Sequence, residues 1–159
     1  MKQPRGCFIN TTMSYLNVRH MRYITGATAR QLDYWEAKGL IRPSGARAGP
    51  RGWRGYTIND AILARTIKAL REEGVSLPKI EDVIKVLIRR TLKAGESGDQ
   101  LKTLKLVAYG GDIYVKTSVR AAYRAVDGQS TFLFIDMEQI GQEVERKMHE
   151  EGIVRSSTL

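Results

Sequence analysis

Four residues, Thr25-Gly26-Ala27-Thr28, separate two stretches of helical apolar spacing, and that junction limits the fold more than any other feature of the chain. Before it, Val18, Met21 and Ile24 recur at three-residue intervals and share one helix face. After it, Leu32, Trp35 and Glu36 follow at i, i+3 and i+4 on a helix expected over Ala29 to Lys38. Gly26, lacking a Cβ, adopts the left-handed conformation that a sharp exit from the first helix requires. Thr28 stands where a hydroxyl accepts from an otherwise unbonded backbone N–H. Gly39 stops the second helix, with Lys38 at its electronegative end. Two helices joined by about four residues including a glycine make a helix-turn-helix.

The rest of the chain alternates between the two periodicities. Leu40-Ile41-Arg42 reads as a short strand ended by Pro43. A Gly-, Ala-, Arg- and Pro-rich loop follows over 44–55, and Tyr56 returns, giving a β-hairpin wing. Thr57 with Asp60 three residues on is a capping box with a shortened acid, opening a third helix that ends at Glu73-Gly74. Ser76 caps a fourth helix with a buried stripe of Ile80, Val83, Ile84, Leu87 and Ile88. Residues 94–100 have linker composition. Beyond them the spacing predicts a strand over 101–109, a turn at Gly110-Gly111-Asp112, a strand at 113–115 and a short helix from Ser118 through Ala125. An apolar β run over 131–135 and a final helix striped by Met137, Ile140, Val144 and Met148 complete it. The expected fold class is α+β: four helices and a wing over 14–93, then a small ββαβα domain over 101–151. A polar arm (1–13) and a tail (152–159) flank them. The small domain is near the size that needs a partner for stability.

Net charge is +9, and its placement is uneven. Residues 1–75 hold thirteen Lys/Arg against five Asp/Glu, whereas residues 101–159 hold eight of each. Between Glu36 and Asp60 there is no carboxylate, while Lys38, Arg42, Arg47, Arg51 and Arg54 all fall there. A solubility charge would not require this asymmetry; a polyanionic partner would.

The run from Leu16 to Pro43, Thr-Gly-Ala-Thr-Ala-Arg-Gln-Leu-Asp-Tyr-Trp-Glu-Ala-Lys-Gly-Leu-Ile-Arg-Pro at its heart, resembles the MerR family of winged helix-turn-helix regulators. Their usual form is T-G-V-S-x-R-T-L-R-Y-Y-E-x-x-G-L-x-x-P. Arg54-Gly55-Tyr56 at the end of the wing and the Gly74-Val75-Ser76-Leu77 junction extend the resemblance over about residues 16–90. The back half is similar to an actinobacterial subgroup in which a compact α/β domain replaces a long coiled coil. Asp33 departs from the pattern, since many members carry Arg there. It is expected to face away from DNA and pair with Arg30 or Lys38.

The resemblance implies double-stranded DNA as partner, with Thr28, Ala29, Arg30, Gln31, Tyr34, Lys38 and Arg42 on or beside the recognition helix. Arg30 suits guanine and Gln31 adenine, and Thr28 suits phosphate or a thymine methyl. Arg51, Arg54 and Tyr56 suit flanking phosphates. Trp53 is either a core anchor or a wedge on the sugar-phosphate backbone. Trp35 is expected in the core, Tyr34 at the surface, and Arg19 and Arg22 on plain helix surface. Family members act as homodimers on near-palindromic promoter sites, with RNA polymerase as a possible further partner. Dimer or ligand contacts are then expected from Tyr114, Phe132, Phe134, Met137, Ile140 and Val144, and an effector is left open. Tyr109, Tyr114, Tyr123, Phe132 and Phe134 line either a ligand pocket or a small core. Two other readings stand: an architectural or accessory DNA protein (excisionase-like or chromosome-organising), and a DNA-binding module whose back half binds another protein.

Several chemistries have no sequence support. Cys7 is the only cysteine, which excludes an intramolecular disulfide and thiol sensing by a cysteine cluster. His20 and His149 lack ligand-spaced partners and read as surface or capping residues. No phosphate loop, nucleophile elbow or His-Glu-x-x-His motif occurs, so neither enzyme, metal nor cofactor is expected. With no signal peptide and no long apolar run, a cytoplasmic, nucleoid-associated protein that contacts no membrane is expected.

Overall fold

Asn17 opens the first helix, α1 (Val18–Thr25): its side chain accepts from His20 N at 2.9 Å, and His20 Nδ1 accepts from Asn17 N at 3.3 Å. His20 is thus a capping residue. The computed structural model describes residues 15–43, 54–94, 99–129 and 131–153. The expected arm, Cys7, most of the wing loop with Arg51 and Trp53, and most of the 94–100 segment lie outside them.

Gly26 ends α1 in the left-handed region (φ 76°), its N–H reaching Arg22 O at 3.0 Å. Thr25 fastens the turn, because Oγ1 donates to Met21 O at 2.7 Å and accepts from Ala27 N at 3.1 Å. Helices α2 (Ala29–Ala37), α3 (Ile58–Glu72) and α4 (Leu77–Ala94) follow. The Thr57–Asp60 capping box at the start of α3 forms as the sequence indicates. Leu40-Ile41-Arg42, expected as a strand, is instead turn and coil. The edge of Tyr56 is satisfied by Leu16, with reciprocal backbone hydrogen bonds of 2.7 and 2.8 Å. Leu40 meanwhile bonds back to Trp35 O at 2.8 Å, and Leu40 and Ile41 are buried.

The segment expected to be a strand from residue 101 begins as a short helix, α5 (Asp99–Lys102), which buries Leu101 before β1 (Lys105–Tyr109) starts. A Gly110-Gly111 turn, both residues at positive φ, leads to β2 (Asp112–Lys116). Then come α6 (Val119–Ala125), β3 (Leu133–Asp136) and α7 (Met137–Glu150). The sheet is antiparallel with order β2-β1-β3; Val107 lies between Tyr114 and Phe134, and Leu106 between Val115 and Ile135. Period-two alternation therefore sorts the faces. Leu106, Ile113, Val115, Leu133 and Ile135 face inward, whereas Val107, Tyr109 and Phe134 face outward onto Ala122 and Val126 of α6.

One apolar cluster runs from Leu16, Leu32 and Trp35 through α3 and α4 to Leu106, Met137, Val144 and Met148. The final helix packs against α3, α1 and α5. Burying each of its large apolar side chains contributes roughly 1.5–3 kcal/mol, which fixes α7 to the helix-turn-helix scaffold. Gly141 allows the close approach to α5, since a Cβ there would meet Lys102 Cγ at 2.8 Å. Polar cross-links add to the seam, among them Arg65 to Glu143 at 3.2 Å, Tyr23 Oη to Glu150 at 2.8 Å, and Lys147 Nζ to Ile24 O at 3.5 Å.

Candidate nucleic-acid interface

Recognition by α2 depends on which of its faces the core leaves free. Leu32 and Trp35 are buried and anchor the helix, while Thr28, Arg30, Tyr34 and Lys38 are exposed. Thr28 Oγ1 accepts from Gln31 N at 3.1 Å, and Gln31 Oε1 accepts from Thr28 N at 2.9 Å. That reciprocal box holds the first turn of α2 in place. It also holds the Gln31 carboxamide oxygen against the start of the helix, while the neighbouring Arg30 side chain is exposed. Ala29 is half-buried at the helix start. Lys38 Nζ lies 5.6 Å from the centre of the Tyr34 ring, a cation–π contact that orders both side chains at the exposed face.

Beside α2 stands a charge network that sequence spacing did not place. Arg54 Nη1 donates to Asp33 Oδ1 at 2.6 Å and to the two Glu36 oxygens at 3.1 and 3.0 Å. Asp33 therefore pairs with Arg54, not with Arg30 or Lys38: the fold brings residue 54 across α2. Tyr56, expected on phosphate, is fully buried with its hydroxyl on Glu36 Oε1. Burial first, then that hydrogen bond, pushes the phenol well above its ordinary pKa. Arg54 is likewise held by carboxylates. Its burial pulls the guanidinium pKa down, but Asp33 and Glu36 outweigh that and raise it. Both residues tie the base of the expected wing to the recognition helix. Arg42 is exposed, and its backbone N–H donates to Asp60 Oδ1 at 3.4 Å, fixing the exit from the helix-turn-helix to the start of α3.

The candidates of the back half fall in two places. Met137, Ile140 and Val144 are 0%, 8% and 0% exposed inside the main cluster, so their stripe is used within the chain and offers no surface to a second subunit. Tyr114, Phe132 and Phe134 belong to an aromatic layer outside the sheet. Tyr114 stacks on Tyr109 with centroids 4.7 Å apart, Phe134 stacks on the exposed Tyr123 at 6.0 Å, and Phe132 is exposed. Among the described residues no group of His, Cys, Asp and Glu could hold a metal ion, and no helix is long and apolar enough to cross a membrane.

A glycine-turned helix pair, its second helix capped, anchored by Leu32 and Trp35 and exposing Arg30, defines a helix-turn-helix protein. Residues 17–87 match the model of the MerR HTH family regulatory protein, and the chain carries a MerR-family helix-turn-helix domain. Similar proteins occur in Mycobacterium bovis and in two strains of Mycobacterium tuberculosis, each named an uncharacterized HTH-type transcriptional regulator. Each is 30% identical over 106 residues, which is 66% of this chain and 44% of theirs. The chain thus spans less than half the length of the curated relatives it matches.

Proposed function

We propose that this protein is a sequence-specific DNA-binding transcription regulator that engages a near-palindromic promoter site as a homodimer. The observation that carries the reading is the exposed face of α2, with Arg30 projecting from a capped first turn inside the acid-poor, cation-rich part of the chain. A helix so held enters the major groove with its N-terminal residues toward base edges. Arg30 pairs with guanine there; Thr28, Tyr34, Lys38 and Arg42 meet the backbone and set register. Arg51 and Trp53, outside the described residues, complete the wing contact, and Arg54 and Tyr56 support it from behind. The second subunit meets the exposed edge of the aromatic layer at Phe132, because the α7 stripe is occupied and Phe134 packs under α6. RNA polymerase at the promoter is the further partner, in the cytoplasm.

Selection of bound duplexes from a random pool tests specificity, half-site spacing and symmetry together. On the selected duplex, Arg30→Ala costs about 1–3 kcal/mol, roughly tenfold to a hundredfold in affinity, and relaxes preference at one position per half-site. Enrichment of no motif, or a variant that binds as tightly and as selectively as the parent, defeats the reading.

A further inference from the structure

The back half of the chain is charge-balanced in sequence, yet the fold separates its charges. Lys102 pairs with Glu145, Lys105 with Asp136, Arg146 with Glu150 and Lys147 with Glu143. Among the described residues of 101–153, the remaining Lys and Arg are Lys116, Arg120 and Arg124, and none has a carboxylate partner there. Those same three line one cleft of about 380 Å³, together with Ser118, Ala121 and Ala125. No acid occurs between Asp112 and Asp127 to neutralise them. Lys116 is steered by the Tyr114 ring, 5.8 Å from its Nζ, and Arg120 and Arg124 stand one helical turn apart on α6. Three like charges around one concavity repel each other until an anion sits among them.

We propose that this cleft binds a small phosphorylated molecule bearing at least two negative charges. Two forked guanidinium groups match phosphate oxygens bidentately, and the Lys116 ammonium adds a point charge. The volume of this solvent-open depression falls at the lower end of the roughly 300–1,000 Å³ of small-ligand sites. A free molecule fits better than the DNA backbone for a positional reason. The α6 helix packs on the outer face of the sheet, across it from the core that carries α2, so the cleft is not a continuation of the recognition surface.

The test uses the full chain and inorganic pyrophosphate as probe, read by isothermal titration and by Tm. Pyrophosphate is expected to bind and to raise Tm, and the double variant Arg120→Gln/Arg124→Gln to weaken binding by roughly tenfold or more. Arg120 and Arg124 are exposed, so folding is expected to survive the double variant; Lys116→Gln, at a half-buried position and weakening binding by a smaller factor, provides a second reading. Arg30→Ala is expected to lose duplex affinity while binding pyrophosphate like the parent, which keeps this site separate from the DNA reading. Absence of binding, or equal binding by parent and double variant, overturns the proposal. So does a loss of duplex affinity in the double variant with a shallower salt dependence, which would assign the three cations to DNA phosphates.

Discussion

Removing the Arg54 guanidinium separates two roles that both suit an arginine at the base of a wing. The structure gives it three carboxylate contacts at 2.6–3.1 Å, with side-chain exposures of 32% for Arg54, 19% for Glu36 and 60% for Asp33. The Asp33 arm is largely solvated and is worth at most about 0.5 kcal/mol. The Glu36 arm is mostly shielded, yet Arg54 remains partly wet, so its loss falls below the roughly 3–5 kcal/mol of a fully buried pair; about 1.5 kcal/mol is reasonable. Arg54→Ala is therefore expected to lower the unfolding free energy by about 2 kcal/mol in urea titrations. Adding Glu36→Gln should recover part of it, because the uncompensated charge beside Tyr56 disappears. Because the Arg54 guanidinium is engaged by Asp33 and Glu36 and not by phosphate, its loss is expected to leave the slope of log affinity against log salt close to that of the parent. If instead stability stays within about 0.5 kcal/mol while the slope drops by about 0.9, the value for one phosphate contact, Arg54 is a DNA ligand and the ion-pair argument is wrong.

Three further outcomes follow from the same physics. Burial raises the Asp60 carboxyl from 3.8 to about 6, against the pull of the Thr57 and Arg42 N–H groups. The native state thus holds a proton that the unfolded chain has released between about pH 4 and 6, and stability falls as pH rises through that window, by up to about 3 kcal/mol. Asp60→Asn should remove that component from the Tm-against-pH curve; parallel curves for parent and variant would refute it. Asp136 accepts from Glu138 N at 2.9 Å and pairs at 2.6 Å with Lys105, whose side chain is 8% exposed. Asp136→Ala is expected to cost about 1–3 kcal/mol, since Glu138 Oε2 at 3.8 Å still faces the Lys105 ammonium, and the double variant with Lys105→Met should regain most of it; a single-variant loss under about 0.5 kcal/mol in urea would contradict this. Gly26→Ala meets only Lys68 Cε at 3.9 Å, so its cost is conformational: about 1–2 kcal/mol at φ 76°, and an unchanged midpoint would argue against a left-handed turn.

The helix-turn-helix was legible because several local rules agree at neighbouring residues. Gly26 permits the turn, Thr28 caps, Leu32 and Trp35 set the buried face, and each depends on chain neighbours alone. Charge partners were not legible for the converse reason. Along α2, Asp33 has Arg30 and Lys38 within reach, and nothing in spacing announces that residue 54 will cross the helix and take both Asp33 and Glu36. The resemblance at the end of the wing places Tyr56 on phosphate; only the fold shows that Leu16 pairs with its backbone and Glu36 takes its hydroxyl.

The α7 stripe carries this distinction furthest. Period-3.6 spacing of Met137, Ile140, Val144 and Met148 establishes that a face is covered, but it does not name the cover. Packing on the sheet and a contact with a second subunit are the two covers the spacing suggests. The structure shows another, the helix-turn-helix scaffold, with Met137 Sδ 3.5 Å from Thr66 Oγ1 in the middle of α3, and with Tyr23 of α1 bonded to Glu150 near the other end. The back half is consequently part of the scaffold that orients α2: displacement of α7 would disturb α1 and α3 together and move the helix they carry.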